Sequence, residues 1–286
     1  MTVRDQTSEA GCVCDALAPA PVAVGEGLRN EQADIRYQPK IDLRRKCLVG
    51  AEALVGVCDA QHGDLCPPGA LPDIDADGLI APTERALLAV LRDWTAFAED
   101  GFNLHLAIDV PAGALSKRSL PRLVRENRPR AESWPGLILE IGEERMVRDI
   151  ALVQGVAAEL KSCGIGIAID NFGAGYSSFS SLRALPFAEL KIDSQFVKDC
   201  ATDANNAAIC QTAIDLAHRF GSVAVACGIA NRADLEALAV MGCDVGQGPL
   251  VAPPMPREDF LELLRRRMNR PKPPATEAAD AGESVA

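Results

Sequence analysis

Aromatic residues are scarce in this sequence: eight Phe, two Trp and two Tyr make up 4% of 286 residues. Apolar residues still reach 48%, so a sizeable core is available, built from Ala, Leu, Val and Ile. Positive charge is also short. Lys and Arg number 29 against 40 Asp and Glu, a formal net charge of −11. A duplex nucleic-acid binder needs a basic face, so that partner class is excluded. A small anionic ligand stays open where metal ions or backbone amides screen the field. The ten cysteines form no CxxC pair, and several lie in apolar runs, where Cys acts as a small hydrophobe. No apolar run is long enough to span a bilayer, and the N-terminus MTVRDQTSEA lacks the layout of a signal peptide. The expectation is a cytoplasmic protein with reduced thiols. No GxGxxG follows the first strand, which weighs against a dinucleotide-cofactor site.

What is present is alternation. Residues 1–27 read as a flexible head and 269–286 as a disordered tail, leaving one domain over 28–268. Within it, β-like runs fall at Ile35–Leu43, Cys47–Leu54, Leu104–Val110, Leu137–Ile141, Ile165–Asp170, Glu189–Ile192, Val223–Cys227 and near Cys243. Helix-period stretches at Pro82–Ala98, Met146–Ser162, Asn205–Phe220 and Arg232–Met241 separate many of them. Arg44–Lys46 leave room only for a turn, so the first two runs form a hairpin, and βα units follow. Eight strands in this pattern predict an α/β fold, a (β/α)8 TIM-like barrel. An open doubly wound sheet is the structural alternative.

Polar residues end these strands: Glu52, Asp109, Glu140, Asp170, Lys191, Cys227 and, after the last, Gln247. In a barrel these positions converge at the C-terminal mouth. One Asp after a strand is ordinarily a turn residue or a helix cap. Four carboxylates in one register repel one another unless cations share them, and hard oxygen donors suit Mg²⁺ or Mn²⁺.

These residues, in this order, resemble the EAL-domain family of cyclic di-GMP phosphodiesterases. The motifs are YQPKIDL, VGAEALVG with Glu52-Ala53-Leu54, LEIGEE, IAIDNFGAGYSSFSSL, LPFAELKIDSQFV and GCDVGQGPL, over about 34–264. The resemblance implies a barrel whose first strand is antiparallel and a site for two Mg²⁺ or Mn²⁺ ions. It implies Glu52, Asp109, Glu140, Asp170 and Asn171 at metal positions and Lys191 as the residue that positions the attacking water. It implies Gln38, Leu54 and Gln247 beside the ligand. Glu143 would hold the loop Phe172–Ser178, which in active members links metal occupancy to dimerisation.

Departures from the pattern are equally specific. The arginine that grips a ligand phosphate is Gly56; the asparagine ligand is Asp109; the second aspartate of a pair is Asn171. The EGVE segment is CGIA, so Cys227 and Ala230 replace two glutamates, and QGY ends in Pro249. A neutral amide replaces a carboxylate poorly, and a thiol suits softer metals. Each such loss costs roughly 10²–10³ in rate. A catalytic thiolate at Cys227 would want a histidine, and nothing pairs His62, His105 or His218 with it. The leading expectation is an eroded site, inactive or weakly active, in a regulatory protein-interaction module. A live metal-dependent phosphodiesterase and a non-hydrolysing cyclic di-GMP receptor are the alternatives. The candidate partners are cyclic di-GMP, a regulatory protein and a second copy of the chain. No sensory or second catalytic domain is legible.

Overall fold

A hairpin opens the fold. Strand β1 (Ala33–Asp42) turns through 43–46 into β2 (Cys47–Cys58), with Gln38 opposite Glu52 and Arg36 opposite Leu54. The turn has a local cause. The Asp42 carboxylate accepts hydrogen bonds from the N–H groups of Arg44 (2.8 Å) and Arg45 (2.6 Å), and Lys46 takes a left-handed φ of 53°. This structure is a computed structural model and describes residues 33–58, 65–66, 80–110, 115, 119–148, 150–173 and 179–268. The expected head at 1–27 and tail at 269–286 lie outside the described residues.

From β2 the sheet runs parallel through β4 (His105–Asp109), β5 (Leu137–Gly142), β6 (Ile165–Phe172), β7 (Glu189–Ile192), β8 (Val223–Ala226) and β9 (Val245–Gly246). β1 pairs antiparallel with both β2 and β9, and this closes an eight-stranded barrel. Two short strands flank it: β3 (Leu65–Cys66) on β2 and β10 (Met255–Pro256) on β1. The closed barrel, not the open doubly wound sheet, is the architecture.

The helical shell contains α1 (Ile80–Glu99), α2 (Ser119–Asn127), α3 (Glu143–Arg148), α4 (Ile150–Ser162), α5 (Phe179–Ala184), α6 (Ser194–Val197), α7 (Ala204–Arg219), α8 (Arg232–Met241) and α9 (Arg257–Met268). The stretch expected as helix from Met146 to Ser162 is helical in α3 and α4, on either side of residue 149, which lies outside the described residues, and the helix begins three residues earlier at Glu143. α2 and α9 were not expected. Among the described side chains α2 buries only Leu120, Pro121 and Val124, and α9 only Phe260 and Leu264, too short an apolar stripe to stand out in a charged stretch.

Scarce aromatics are concentrated where α1 and α9 close over β1. The Tyr37 ring lies 5.4 Å from Phe97 and 5.5 Å from Phe260, and the Tyr37 hydroxyl donates to Asp93 Oδ2 at 2.7 Å. Tyr37 thus fixes the outward face of β1. Strand alternation then turns Arg36, Gln38 and Lys40 inward. The barrel interior has a small apolar layer of its own, Ala107, Ile138 and Ala168, separate from the main core. Small side chains there leave the volume above them to polar groups.

The mouth-side loop after α6 depends on one buried carboxylate. Asp234 accepts from the N–H groups of Asp199 and Ala201, both 3.0 Å, and from Asn231 Nδ2 at 2.7 Å, while Asn231 caps α8. Burial opposes the charge, but the Ala201 and Asp199 N–H groups hold this carboxyl below the usual carboxylate range. Its stabilising contribution is therefore present above the unfolded aspartate pKa of about 3.9 and is lost as pH falls through the lower folded value. Asp234→Ala leaves two backbone donors without their acceptor and is expected to cost about 2–4 kcal/mol in urea unfolding at pH 7. A loss below about 1 kcal/mol would show that water replaces the carboxylate.

Candidate active site

The inward faces of five strands meet around Lys191. Its Nζ lies 3.0 Å from Glu52 Oε2 and 3.0 Å from Asp170 Oδ1, and it also donates to Glu140 Oε2. Lys40, from the antiparallel strand, donates to the other oxygen of Glu140 at 2.8 Å and to Glu189 at 3.2 Å. Glu52, Glu140, Lys40 and Lys191 are all buried. Five carboxyl groups, counting Asp109, thus share two ammonium groups.

Glu52, Asp109 and Glu140 bring one oxygen each within 4.8 Å of one another, in hard-donor spacing for a divalent cation. Glu52 and Glu140 are buried, whereas Asp109 stands exposed at the mouth. Gln247 Nε2 donates to Glu52 Oε2 at 2.6 Å, and its Oε1 is buried with no hydrogen-bond partner. An orphaned carbonyl oxygen beside three carboxylates fits a cation-binding mouth. The donor set therefore fits one hard divalent cation. Such an ion would act as a Lewis acid toward a phosphoryl oxygen.

The electrostatics separate the carboxyls. Burial raises the Glu140 pKa, but the Lys191 and Lys40 ammoniums outweigh it and hold Glu140 at about 2. Burial, then the neighbouring Glu140 charge, pushes Glu52 up. Asp109 is pushed well above the usual range by its protein surroundings and by Glu52; its solvent exposure tempers the first cause, so the carboxylate crowding is the firmer reason. Divalent binding must displace whatever protons Glu52 and Asp109 hold. Mn²⁺ affinity is thus expected to rise with pH across the acidic range. Titration in two buffers of different ionisation enthalpy should show net proton release. Equal heats in both buffers would contradict it.

Asn171 and Cys227 stand differently. β6 loses register between Ile169 and Phe172, and Asn171 takes a left-handed φ of 56°. Asn171 is exposed, and its amide Nδ2 donates to Asp170 Oδ2 at 2.9 Å. That oxygen is therefore engaged by an amide. Cys227 is half-buried, and its backbone N–H is tied to Ile192 O at 3.2 Å. Burial raises the thiol well above its ordinary pKa despite the Lys191 charge, and Asp170, Glu52 and Glu140 raise it further. It is a neutral thiol at pH 7.

Gln38 donates to Ala252 O at 3.4 Å and accepts from Gln247 at 3.5 Å, while Leu54 is buried two residues mouthward of Glu52. Buried Glu143 accepts from the Gly173 N–H at 3.1 Å, at the start of the 172–178 loop. Gly173 has φ 107°, and a Cβ there would meet the Phe196 ring at 2.6 Å. Residues 174–178 lie outside the described residues. Gly56 is strand residue 56 opposite Asp34, and Ala230 is exposed. Lys40 and Glu189 were missed in the sequence. The signal was there in β1, where Arg36, Gln38 and Lys40 alternate with Tyr37, Pro39 and Ile41, an inversion of the usual polar-out pattern for a strand beneath helices.

The EAL domain family matches residues 22–254. This chain is a member of it. The EAL domain here is 35% identical over 235 residues to the cyclic di-GMP phosphodiesterase PA2567 of Pseudomonas aeruginosa, covering 80% of this chain and 40% of that protein. It is 34% identical over 239 residues to the bifunctional diguanylate cyclase/cyclic di-GMP phosphodiesterase MucR of the same organism, covering 82% of this chain and 35% of that one. The chain therefore spans well under half the length of these two relatives. Among solved structures, the PaMucR phosphodiesterase in complex with cyclic di-GMP superposes with a TM-score of 0.74 at 34% identity, over 82% of this chain and 96% of that one. EAL domains are metal-dependent, and the three-carboxylate cluster accords with that. Among the described residues no helix is long and apolar enough to cross a membrane.

Proposed function

We propose that this EAL domain binds cyclic di-GMP through one divalent cation and hydrolyses it slowly, acting on a regulatory partner in its ligand-bound state. The observation that carries this is the split within the mouth. Glu52, Asp109 and Glu140 form a compact hard-donor set, whereas Asn171 points an amide nitrogen at Asp170 and Cys227 offers a neutral thiol. Glu52, Asp109 and Glu140 hold the cation, Mg²⁺ or Mn²⁺. Lys191 and Lys40 hold Glu140 ionised and fixed, and Gln247 orients Glu52. Lys191 is the group placed to orient a water or steady a developing phosphoryl charge. Relatives named as cyclic di-GMP phosphodiesterases supply the ligand class.

The test is calorimetric titration of cyclic di-GMP into the protein with Mn²⁺, with the recovered mixture assayed for linear dinucleotide. Saturable binding with slow product release from the bound pool is expected. Complete conversion within the titration would make the chain an efficient phosphodiesterase. No binding would leave a protein-interaction module alone.

A further inference from the structure

Glu140 is held at both of its oxygens. Oε2 shares the Lys191 ammonium with Glu52 and Asp170, so it is the oxygen on the Glu52 side of the mouth. Oε1 takes the Lys40 ammonium at 2.8 Å. Lys40 is braced in turn by Glu189 Oε2 at 3.2 Å. Glu189 is not one of the three clustered carboxylates, so its ion pair with Lys40 serves an end other than direct ligation.

Strand register builds this brace. Ala168 of β6 is level with Glu140 of β5 on one side and with Glu189 of β7 on the other. Adjacent strands stand about 4.8 Å apart, so the two glutamates are about 10 Å apart across an alanine. A methyl group between them leaves room for one ammonium to bridge both carboxylates. Lys40 supplies it from the antiparallel strand, with a side chain only 5% exposed, and the Glu140 side chain is fully buried. A carboxylate with each oxygen on a different lysine cannot turn without breaking a buried ion pair.

We infer that Glu189 and Lys40 are a positioning pair that keeps Glu140 a one-oxygen ligand and so sets the site's preference for a small divalent cation. The inference rests on the proposed binding of one cation by Glu52, Asp109 and Glu140. Mg²⁺ demands a compact octahedron with oxygens at about 2.0–2.1 Å, and Mn²⁺ likewise takes octahedral oxygen sets. Ca²⁺ takes roughly six to eight oxygens at about 2.3–2.6 Å, often two from one carboxylate. With Oε1 clamped by Lys40, Glu140 has no second oxygen to give a larger ion.

Mn²⁺ and Ca²⁺ affinities are to be measured calorimetrically for the wild type, Lys40→Met and Glu189→Ala, with Tm for each. Loss of a residue that orients a metal ligand costs roughly 10- to 100-fold in metal affinity. Mn²⁺ affinity is expected to fall by that factor in both variants, while Ca²⁺ affinity falls less, so that the preference for Mn²⁺ over Ca²⁺ narrows by about tenfold. Charge alone acts otherwise: removing the Lys40 ammonium would strengthen binding of both ions together and leave their ratio unchanged. An unchanged ratio in a folded variant overturns the inference, whatever happens to Tm. Glu189→Ala alters a half-buried residue outside the ligand set and gives the reading if Lys40→Met does not fold. A wild type that binds neither ion overturns the cation reading beneath it.

Discussion

Restoring two carboxylates, Asn171→Asp together with Cys227→Glu, is expected to raise cyclic di-GMP turnover by about 10²–10⁴-fold over the wild type. Each position lies beside the cluster yet contributes no hard anionic donor: Asn171 hydrogen-bonds Asp170, and Cys227 is a neutral thiol near Lys191. The backbone favours the exchange. Aspartate tolerates the left-handed φ of 56° almost as well as asparagine, and the Cys227 main chain is fixed by the Ile192 carbonyl. Neighbouring electrostatic groups act together, so the gain is not the product of two single effects. Each single variant should recover less than half of the double variant's gain on a logarithmic scale. Linear dinucleotide measured by chromatography decides it, and bound Mn²⁺ should rise from one to two per chain. Equal rates in wild type and double variant would mean that the wild-type mouth is already complete.

The second large effect concerns stability. Lys191→Met removes the ammonium shared by Glu52, Glu140 and Asp170, leaving buried carboxylates facing one another. Breaking a buried ionic group in this way costs about 3–5 kcal/mol. A divalent cation can replace part of that charge, and a ligand at a hundred times its Kd stabilises by about 2.7 kcal/mol. The variant's Tm is therefore expected to depend steeply on Mn²⁺ and to drop sharply in EDTA, whereas the wild type should respond less. Matching EDTA sensitivities would show that Lys191 is not the site's internal counter-ion.

Local signals carried the barrel. Asp42 with Arg44 and Arg45 encodes the hairpin turn, and apolar runs ending in Glu52, Asp109, Glu140 and Asp170 encode both the strands and the mouth they converge on. The EAL motifs named the family from the same residues. What stayed hidden depends on distance along the chain. Lys40 meets Glu140 100 residues away and Glu189 149 residues away, and no local pattern reports such a pairing. α2 and α9 bury only two or three of their described residues each, so tertiary packing decides them.

The antiparallel first strand has a kinetic consequence. β1 must pair with β2 nearby and with β9 at the far end of the chain, where Ile41 meets Gly246. The site straddles that seam, and Gln38 touches Gln247 209 residues later. Most of the metal cluster can gather from β2, β4 and β5 early, but the Gln247 side of the mouth is absent until almost the whole domain has been synthesised. Closing the seam joins residues 209 apart in sequence and belongs late in folding. A ligand that bridges Gln38, Glu52 and Gln247 would act as a clasp, slowing the seam's reopening and making occupancy of the mouth a brake on unfolding of the whole barrel.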